Sequence, residues 1–358
     1  MNPGRPPLDA LTGVRFLAAM YVVWFHYAPP EMPRLARNAV LNGHLAVGLF
    51  FVLSGFVLAY NYAGREVAPR KFWLSRFARI YPAYLLGFLL IAPAVVVRLQ
   101  HNPLKLAASA VAAGSLLQGW IPELVLVWNG PGWSLSNEAF FYLIFPAVLS
   151  WLQQFSRLAL WIVAIVCCLA AACAGETFQY VPLVRLPEFV LGIAAGLLYL
   201  DRRARGWLWP SAGAVGFVLL LPPDSLPAGV RNAIAAPLFA LLVYSLASRG
   251  GILASRSMRK LGEASYAIYI LQSPLMAYFL LATRGMAAGG ARSPLTWMQF
   301  ALYCVILIVF SMACFEWLET PVRRWILKVG TGKKEVVPSD PNFQPCLQPA
   351  CTVQSMHR

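Results

Sequence analysis

The chain is poor in charge and poorer still in acid. Asp and Glu number 14 among 358 residues, charged residues of all kinds make up 12%, and there are only 4 histidines. So few ionic groups cannot cover a folded surface, which excludes an ordinary soluble domain. The sequence has no zinc-type Cys/His spacing, no glycine-rich nucleotide loop and no Gly-x-Ser-x-Gly elbow. Structural zinc sites, nucleotide-binding folds and elbow-type serine hydrolases are therefore set aside. Cysteine is present but unorganised: Cys167, Cys168, Cys173, Cys304 and Cys314 lie in apolar runs, and Cys346 and Cys351 lie near the end. That is not a disulfide framework. Internal repeats are missing too, as is any long polar stretch that would fold as a second unit.

What remains is apolar. Hydrophobic residues account for 59% of the chain, and the mean hydropathy is +0.63. The expected fold is all-α, a polytopic transmembrane helix bundle. About ten spans are predicted, at 8–28, 44–62, 80–97, 138–152, 158–174, 186–200, 207–221, 232–247, 265–281 and 296–318, each near the roughly 20 residues that cross a bilayer. The first run lacks a convincing small-residue cleavage site and contains Arg15 and His26, so it is expected to remain as an anchor. Residues 1–328 form one transmembrane domain in this reading, and 329–358, rich in Pro, Gln, Lys and Ser, a disordered cytoplasmic tail.

The net charge of +15 could suggest nucleic acid, but the basic residues lie between apolar runs rather than on one arm or face, so no nucleic-acid partner is expected. They describe a topology instead. With both termini cytoplasmic, 20 of the 29 Lys and Arg fall inside and 8 outside, with Arg15 within a span, a clear positive-inside bias. Reading 106–120 as an eleventh span would carry the later basic clusters outside, so that segment is expected to be interfacial or re-entrant.

Several constellations could carry chemistry. Arg15 and His26 are eleven residues apart, which returns them to within roughly 20° on one helix face, about 16 Å apart along the axis. An intramembrane arginine belongs in the bundle interior with a partner, or it snorkels to the interface; His26 either works in the interior or packs near the outer interface. After the second span a basic segment, expected to be a loop, carries Arg76 and Arg79 at i,i+3 among Trp73, Phe77 and Tyr81. It could clamp a phosphate, or it could fix topology and meet lipid headgroups. In Trp133-Ser134-Leu135-Ser136-Asn137-Glu138 either serine could cap the fourth span, placing Glu138 in its first turn, where it would complement the helix dipole or orient a catalytic group. Trp133 suits a sugar platform or an interface belt. Ser54 and Gly55 are assigned to close helix packing. Tyr266, Tyr269 and Ser273 share one face of the ninth span, as polar lining or as ordinary packing. The last span is expected to stop at Pro321, with Glu316 and Glu319 pairing with Arg323, Arg324 or the basic segment.

In this order the pieces resemble the membrane-bound acyltransferase 3 family of bacterial O-acyltransferases, which modify surface polysaccharides, lipopolysaccharide and related acceptors. The resemblance rests on Arg15 and His26, Phe50-Phe51-Val52-Leu53-Ser54-Gly55-Phe56, Arg76 and Arg79 before Ile80-Tyr81-Pro82, Trp133-Ser134-Leu135 with Glu138, Gly262 with Ser265-Tyr266 and Tyr269, and Glu319 with Pro321. It implies transfer of a short acyl group, commonly acetyl, from cytoplasmic acyl-CoA to a hydroxyl of a carbohydrate or glycolipid beyond the membrane. His26 would be the general base, Arg15 would support the donor or the developing charge, Arg76 and Arg79 would hold the coenzyme phosphates, and Glu138 and Glu319 would be supporting acids. Trp133, Ser134, Tyr266, Gln272 and Glu319 are the residues expected to meet substrate. Acyl-CoA is a substrate rather than a resident cofactor, no metal is expected, and a homo-oligomer is compatible with the sequence. The implied location is the bacterial inner membrane. Gln272 stands where the family often has histidine, and the hydrolase-like carboxy-terminal domain of some members is not expected here.

The rival from another class is a transporter or flippase using Arg15 and His26 as a substrate or proton path. A third reading is a catalytically silent relative serving as an assembly partner.

Overall fold

A computed structural model describes residues 5–173, 175–201, 208–284 and 294–331. They form fourteen α-helices: α1 (Asp9–Tyr27), α2 (Arg34–Leu41), α3 (Ala46–Tyr62), α4 (Pro69–Leu99), α5 (Pro103–Gly114), α6 (Trp133–Leu152), α7 (Arg157–Ala172), α8 (Pro182–Asp201), α9 (Leu208–Leu220), α10 (Ala228–Leu246), α11 (Arg256–Glu263), α12 (Ser265–Arg284), α13 (Trp297–Cys314) and α14 (Thr320–Thr331). A π turn, Phe315–Glu319, joins the last two. Seven helical stretches are long and apolar enough to cross a membrane: those of α3, α4, α6, α8, α10, α12 and α13 through α14. The three remaining predicted spans coincide with α1, whose apolar run is interrupted by Arg15 and His26, and with the shorter α7 and α9. The chain is a multi-pass, all-helical membrane protein. The tail expected to be disordered lies, from residue 332, outside the described residues.

Small residues set the closest helix crossing. On α3 and α8, Gly55 abuts the carbonyl of Phe189, Gly192 that of Val52, and Gly196 that of Phe56. A β-carbon at any of them would meet backbone, so only glycine permits the approach. A second crossing, Gly13 on Leu253 and Gly262 on Thr12, draws the turn before α11 and α11 itself against α1 near Arg15.

Four expectations are corrected. The basic segment after the second span is not a loop: α4 begins at Pro69, a favourable first-turn residue, and carries Arg76 and Arg79 within one helix of 31 residues. Pro321 does not stop the last helix. The π turn precedes it, so the proline falls at the second position of α14, where its missing N–H is harmless. Neither serine caps α6, which begins at Trp133 and puts Glu138 in its second turn; Ser134 donates to the Pro131 carbonyl and Ser136 to that of Leu116. Arg185 and Arg231, counted as outer loop charges, are buried in α8 and α10.

The segment at 106–120 is no crossing helix. Its 12-residue α5 rises only about 18 Å and ends in a reversal at Leu116, which takes a left-handed φ of 59°. The Leu117 N–H closes the turn on the Ala112 carbonyl at 2.8 Å, a geometry usually given to glycine. The reversal is tied to the bundle by Tyr81 donating to Gly114, Tyr84 to Ala113 and Ser136 to Leu116.

Candidate active site

Arg15 turns inward. With Ser134 and Glu138 of α6, Phe50 and Phe51 of α3, and Tyr266 and Tyr269 of α12, it lines an interior cavity of about 40 Å³, room for very few waters. Glu138 and Glu319 supply negative charge within electrostatic reach of its guanidinium, and Arg79 positive charge. The acids offset the cost of a cation taken out of water. Glu138 is itself held: the Ser54 hydroxyl donates to its Oε1 at 3.0 Å, and with that proton engaged the Tyr142 hydroxyl donates to Ser54, also at 3.0 Å. Ser54, assigned from sequence to helix packing, is therefore the residue that orients Glu138; its neighbour Gly55 does the packing.

His26 stands one step along the same face, and its side chain is exposed although it sits in the bundle. It is exposed to cavity space. One chamber of about 690 Å³ is walled largely by apolar residues of α4 and α12, including Val95, Met276 and Leu280, with Arg98 and Trp128. The other, about 570 Å³, is lined by Trp133, Tyr180, Gln179, Asn232, His44, Arg185 and Arg231. His26 and Ser273 line both. Tyr269 and Val47 line both the second chamber and the Arg15 cavity, so Tyr269 separates the surroundings of the two predicted residues. Tyr266 and Tyr269 are thus polar lining, the first of the two readings left open for that helix face.

The second chamber has an aromatic wall. Trp133 meets Tyr180 edge-on with ring centroids 5.0 Å apart, and the Arg185 guanidinium lies 5.9 Å from the Trp133 ring. Arg185 is held by Glu188 at 3.0 Å, and Arg231 by the amide oxygen of Asn42 at 2.5 Å. Tyr180, Arg185, Glu188 and Asn232 were not singled out from sequence. Opposite charges at i,i+3 next to an apolar run, as in Arg185 and Glu188, were the readable signal.

Arg79 and Glu319 lie elsewhere. They form an ion pair of 3.0 Å with Glu319 buried and Arg79 four-fifths covered, and the guanidinium sits 5.8 Å and 5.9 Å from the rings of Tyr266 and Phe315. Of the pairings left open for Glu319, the one with the basic segment is the one found. Arg76, one turn away, rests over Phe72 and takes Ser75 Oγ on its Nε. Trp73 donates to the Tyr142 carbonyl, and Phe77 stacks on Tyr81 at 4.6 Å. Gln272 is wholly buried: its amide donates to the Tyr269 carbonyl and Tyr303 donates to its own carbonyl, so it touches neither chamber. The structure gathers Arg15, Ser134, Glu138 and Tyr266 round one cavity, His26 and Trp133 round the next, and leaves Gln272 and Glu319 in the supporting frame.

Known proteins resemble this chain over most of its length. The model of the acyltransferase-3 family, described as an acyltransferase domain, matches residues 8–316. Acyltransferase MdmB of Streptomyces mycarofaciens is 32% identical over 333 residues, spanning 78% of this chain and 81% of that protein. Exopolysaccharide production protein ExoZ of Rhizobium meliloti (strain 1021) is 29% identical over 310 residues, 79% of this chain and 90% of its own. The putative peptidoglycan O-acetyltransferase YrhL of Bacillus subtilis (strain 168) is 24% identical over 368 residues, 88% of this chain and 55% of its own. No solved structure matches the chain. The chain belongs to the membrane-bound acyltransferase-3 family and is an acyltransferase that transfers groups other than aminoacyl groups.

Proposed function

We propose that this enzyme moves a short acyl group, acetyl, from acyl-CoA at the cytoplasmic face to a hydroxyl of a carbohydrate or glycolipid on the far side, with His26 as general base. The observation that carries the reading is the position of His26, exposed to two chambers of several hundred cubic ångströms inside a membrane bundle. The names of two relatives, one for exopolysaccharide production and one for peptidoglycan O-acetylation, support a carbohydrate acceptor. So does the pairing of Trp133 and Tyr180 with amide and guanidinium groups in the second chamber, a surface that can stack a sugar ring and bond its hydroxyls.

In the reaction a neutral His26 ring nitrogen takes the acceptor hydroxyl proton as that oxygen attacks the thioester carbonyl. The tetrahedral intermediate collapses by breaking the C–S bond, and the thiolate recovers the proton from the imidazolium. No covalent acyl-enzyme is needed. Arg15 lies about 16 Å away along the helix axis, too far to share the reacting carbonyl, so it serves the donor arm and is oriented by Glu138. The topology follows from charge: with Arg185 and Arg231 inside helices, the outer basic count falls from 8 to 6 against 20 inside, which supports cytoplasmic termini and an inner-membrane location.

His26→Ala should lower acyl transfer by at least about 100-fold while coenzyme A affinity, measured on the same purified protein, stays within about twofold. Wild-type transfer by that variant would remove His26 from the mechanism.

A further inference from the structure

We propose that Arg76 and Arg323 form a two-helix clamp for a phosphoryl group. The clamp follows from the register in which α4 and the π turn with α14 pack together. One rung is the ion pair between Arg79 and Glu319. A second mark is Gly330 against the Leu74 side chain. Between these marks α4 runs backward and α14 forward, so the two segments are antiparallel. Arg76 lies three residues before Arg79, about 4.5 Å along α4, and Arg323 four residues after Glu319, about 6 Å along α14. Both displacements point toward the same end of the bundle, and the two guanidiniums share the rung beyond the ion pair.

That rung has no acid of its own. Arg323 lies within electrostatic reach of Arg76 and Arg79, and its one acidic neighbour in that set is Glu319, which is already engaged by Arg79. Among the described residues neither Arg76 nor Arg323 forms an ion pair. Arg76 uses its Nε on Ser75 and its face on Phe72, which leaves its two terminal nitrogens to bind an anion. Both side chains are partly exposed, so an anion can reach them, and Arg70, Lys71 and Lys328 are exposed nearby along the two helices and reinforce the field. Two forked guanidiniums on one rung without a carboxylate between them suit a phosphoryl group, whose oxygens each fork can bind as a pair. The partner expected for Arg76 from spacing alone was Arg79; the fold assigns Arg79 to the frame and brings Arg323 from nearly 250 residues away.

Two sources share this chemistry: the phosphates of a nucleotide-linked acyl donor, which rests on the acyl-CoA reading above, and the headgroup of an anionic phospholipid. The test uses full-length protein in nanodiscs and the variants Arg76→Gln, Arg323→Gln, the double variant and Arg324→Gln, whose removed charge is exposed and outside the clamp. Coenzyme A affinity and the thermal stabilisation given by phosphatidylglycerol over phosphatidylcholine are both measured. For a donor clamp, each single clamp variant weakens coenzyme A at least tenfold, the double variant little more than either, and Arg324→Gln less than twofold, while the affinity for acetyl-pantetheine, which lacks the nucleotide, is unchanged. For a lipid clamp, coenzyme A affinity is retained and the phosphatidylglycerol stabilisation is lost in the clamp variants alone. The proposal is overturned when the clamp variants match Arg324→Gln in both measurements. A wild-type protein that binds no coenzyme A at all refutes the donor reading, and the phosphatidylglycerol arm then decides the clamp.

Discussion

Glu138 illustrates how much of this site is decided by single polar atoms. Its carboxylate lies beside Arg15 in a small cavity, and its Oε1 is bonded by Ser54, which is itself bonded by Tyr142. Removing the Ser54 hydroxyl leaves both Glu138 and Tyr142 short of a partner in a place water enters poorly. Ser54→Ala is expected to cost about 1–3 kcal/mol of stability, read as a lower melting temperature, and to lower the turnover rate at least tenfold without changing coenzyme A affinity. A variant with wild-type turnover would make Ser54 a packing residue after all. The ion pair between Arg79 and Glu319 makes a different prediction. Either partner alone leaves a poorly solvated charge, so Arg79→Met and Glu319→Gln should each cost about 3 kcal/mol. The double variant should cost clearly less than the sum of the two, and strict additivity in thermal unfolding would contradict the coupling.

At the level of elements, the crossing of α3 and α8 fixes where Ser54 and Phe51 face. A methyl group on Gly192 would collide with the Val52 carbonyl, so Gly192→Ala should destabilise by about 1–3 kcal/mol through forced separation of the helices. Gly213 of α9 has open space at the same position, and Gly213→Ala should change stability by less than about 0.5 kcal/mol. Equal effects at the two glycines would remove close approach as the cause. The π turn is the other element with a positional role: it sets Glu319 facing Arg79 and lets the helix continue past Pro321. Hydropathy has no signature for an i→i+5 turn, which is why the last span reads as ending at Pro321, about three turns before Thr331.

Across the whole molecule, what the sequence makes legible is what one segment decides alone. Apolar runs located most of the long helices within about five residues, but missed the first eleven residues of α4 and the continuation of the last span to Thr331, and the eleven-residue spacing predicts Arg15 and His26 on one face. Features that need two distant segments were hidden. Ser54 and Glu138 are 84 positions apart, and Arg79 and Glu319 are 240 apart. Arg185 looked like a loop charge because counting basic residues does not distinguish a loop from a buried pair with Glu188. Gln272 looked like a substrate contact because its helix lines the chambers, yet it is wholly buried and its side-chain amide bonds the Tyr269 carbonyl of its own helix. Arg15, His26, Ser134 and Glu138, which line the cavities, were named from sequence; the partners that hold them were not.

The central claim is that a donor from one face and an acceptor from the other meet at His26. It is tested most directly in sealed proteoliposomes of known orientation. Labelled acetyl-CoA is supplied only on the side of the Arg76 end of α4, and a carbohydrate acceptor only on the opposite side. The account predicts labelled ester on the enclosed acceptor with wild-type protein and almost none with His26→Ala. Equal labelling with the two proteins would contradict it.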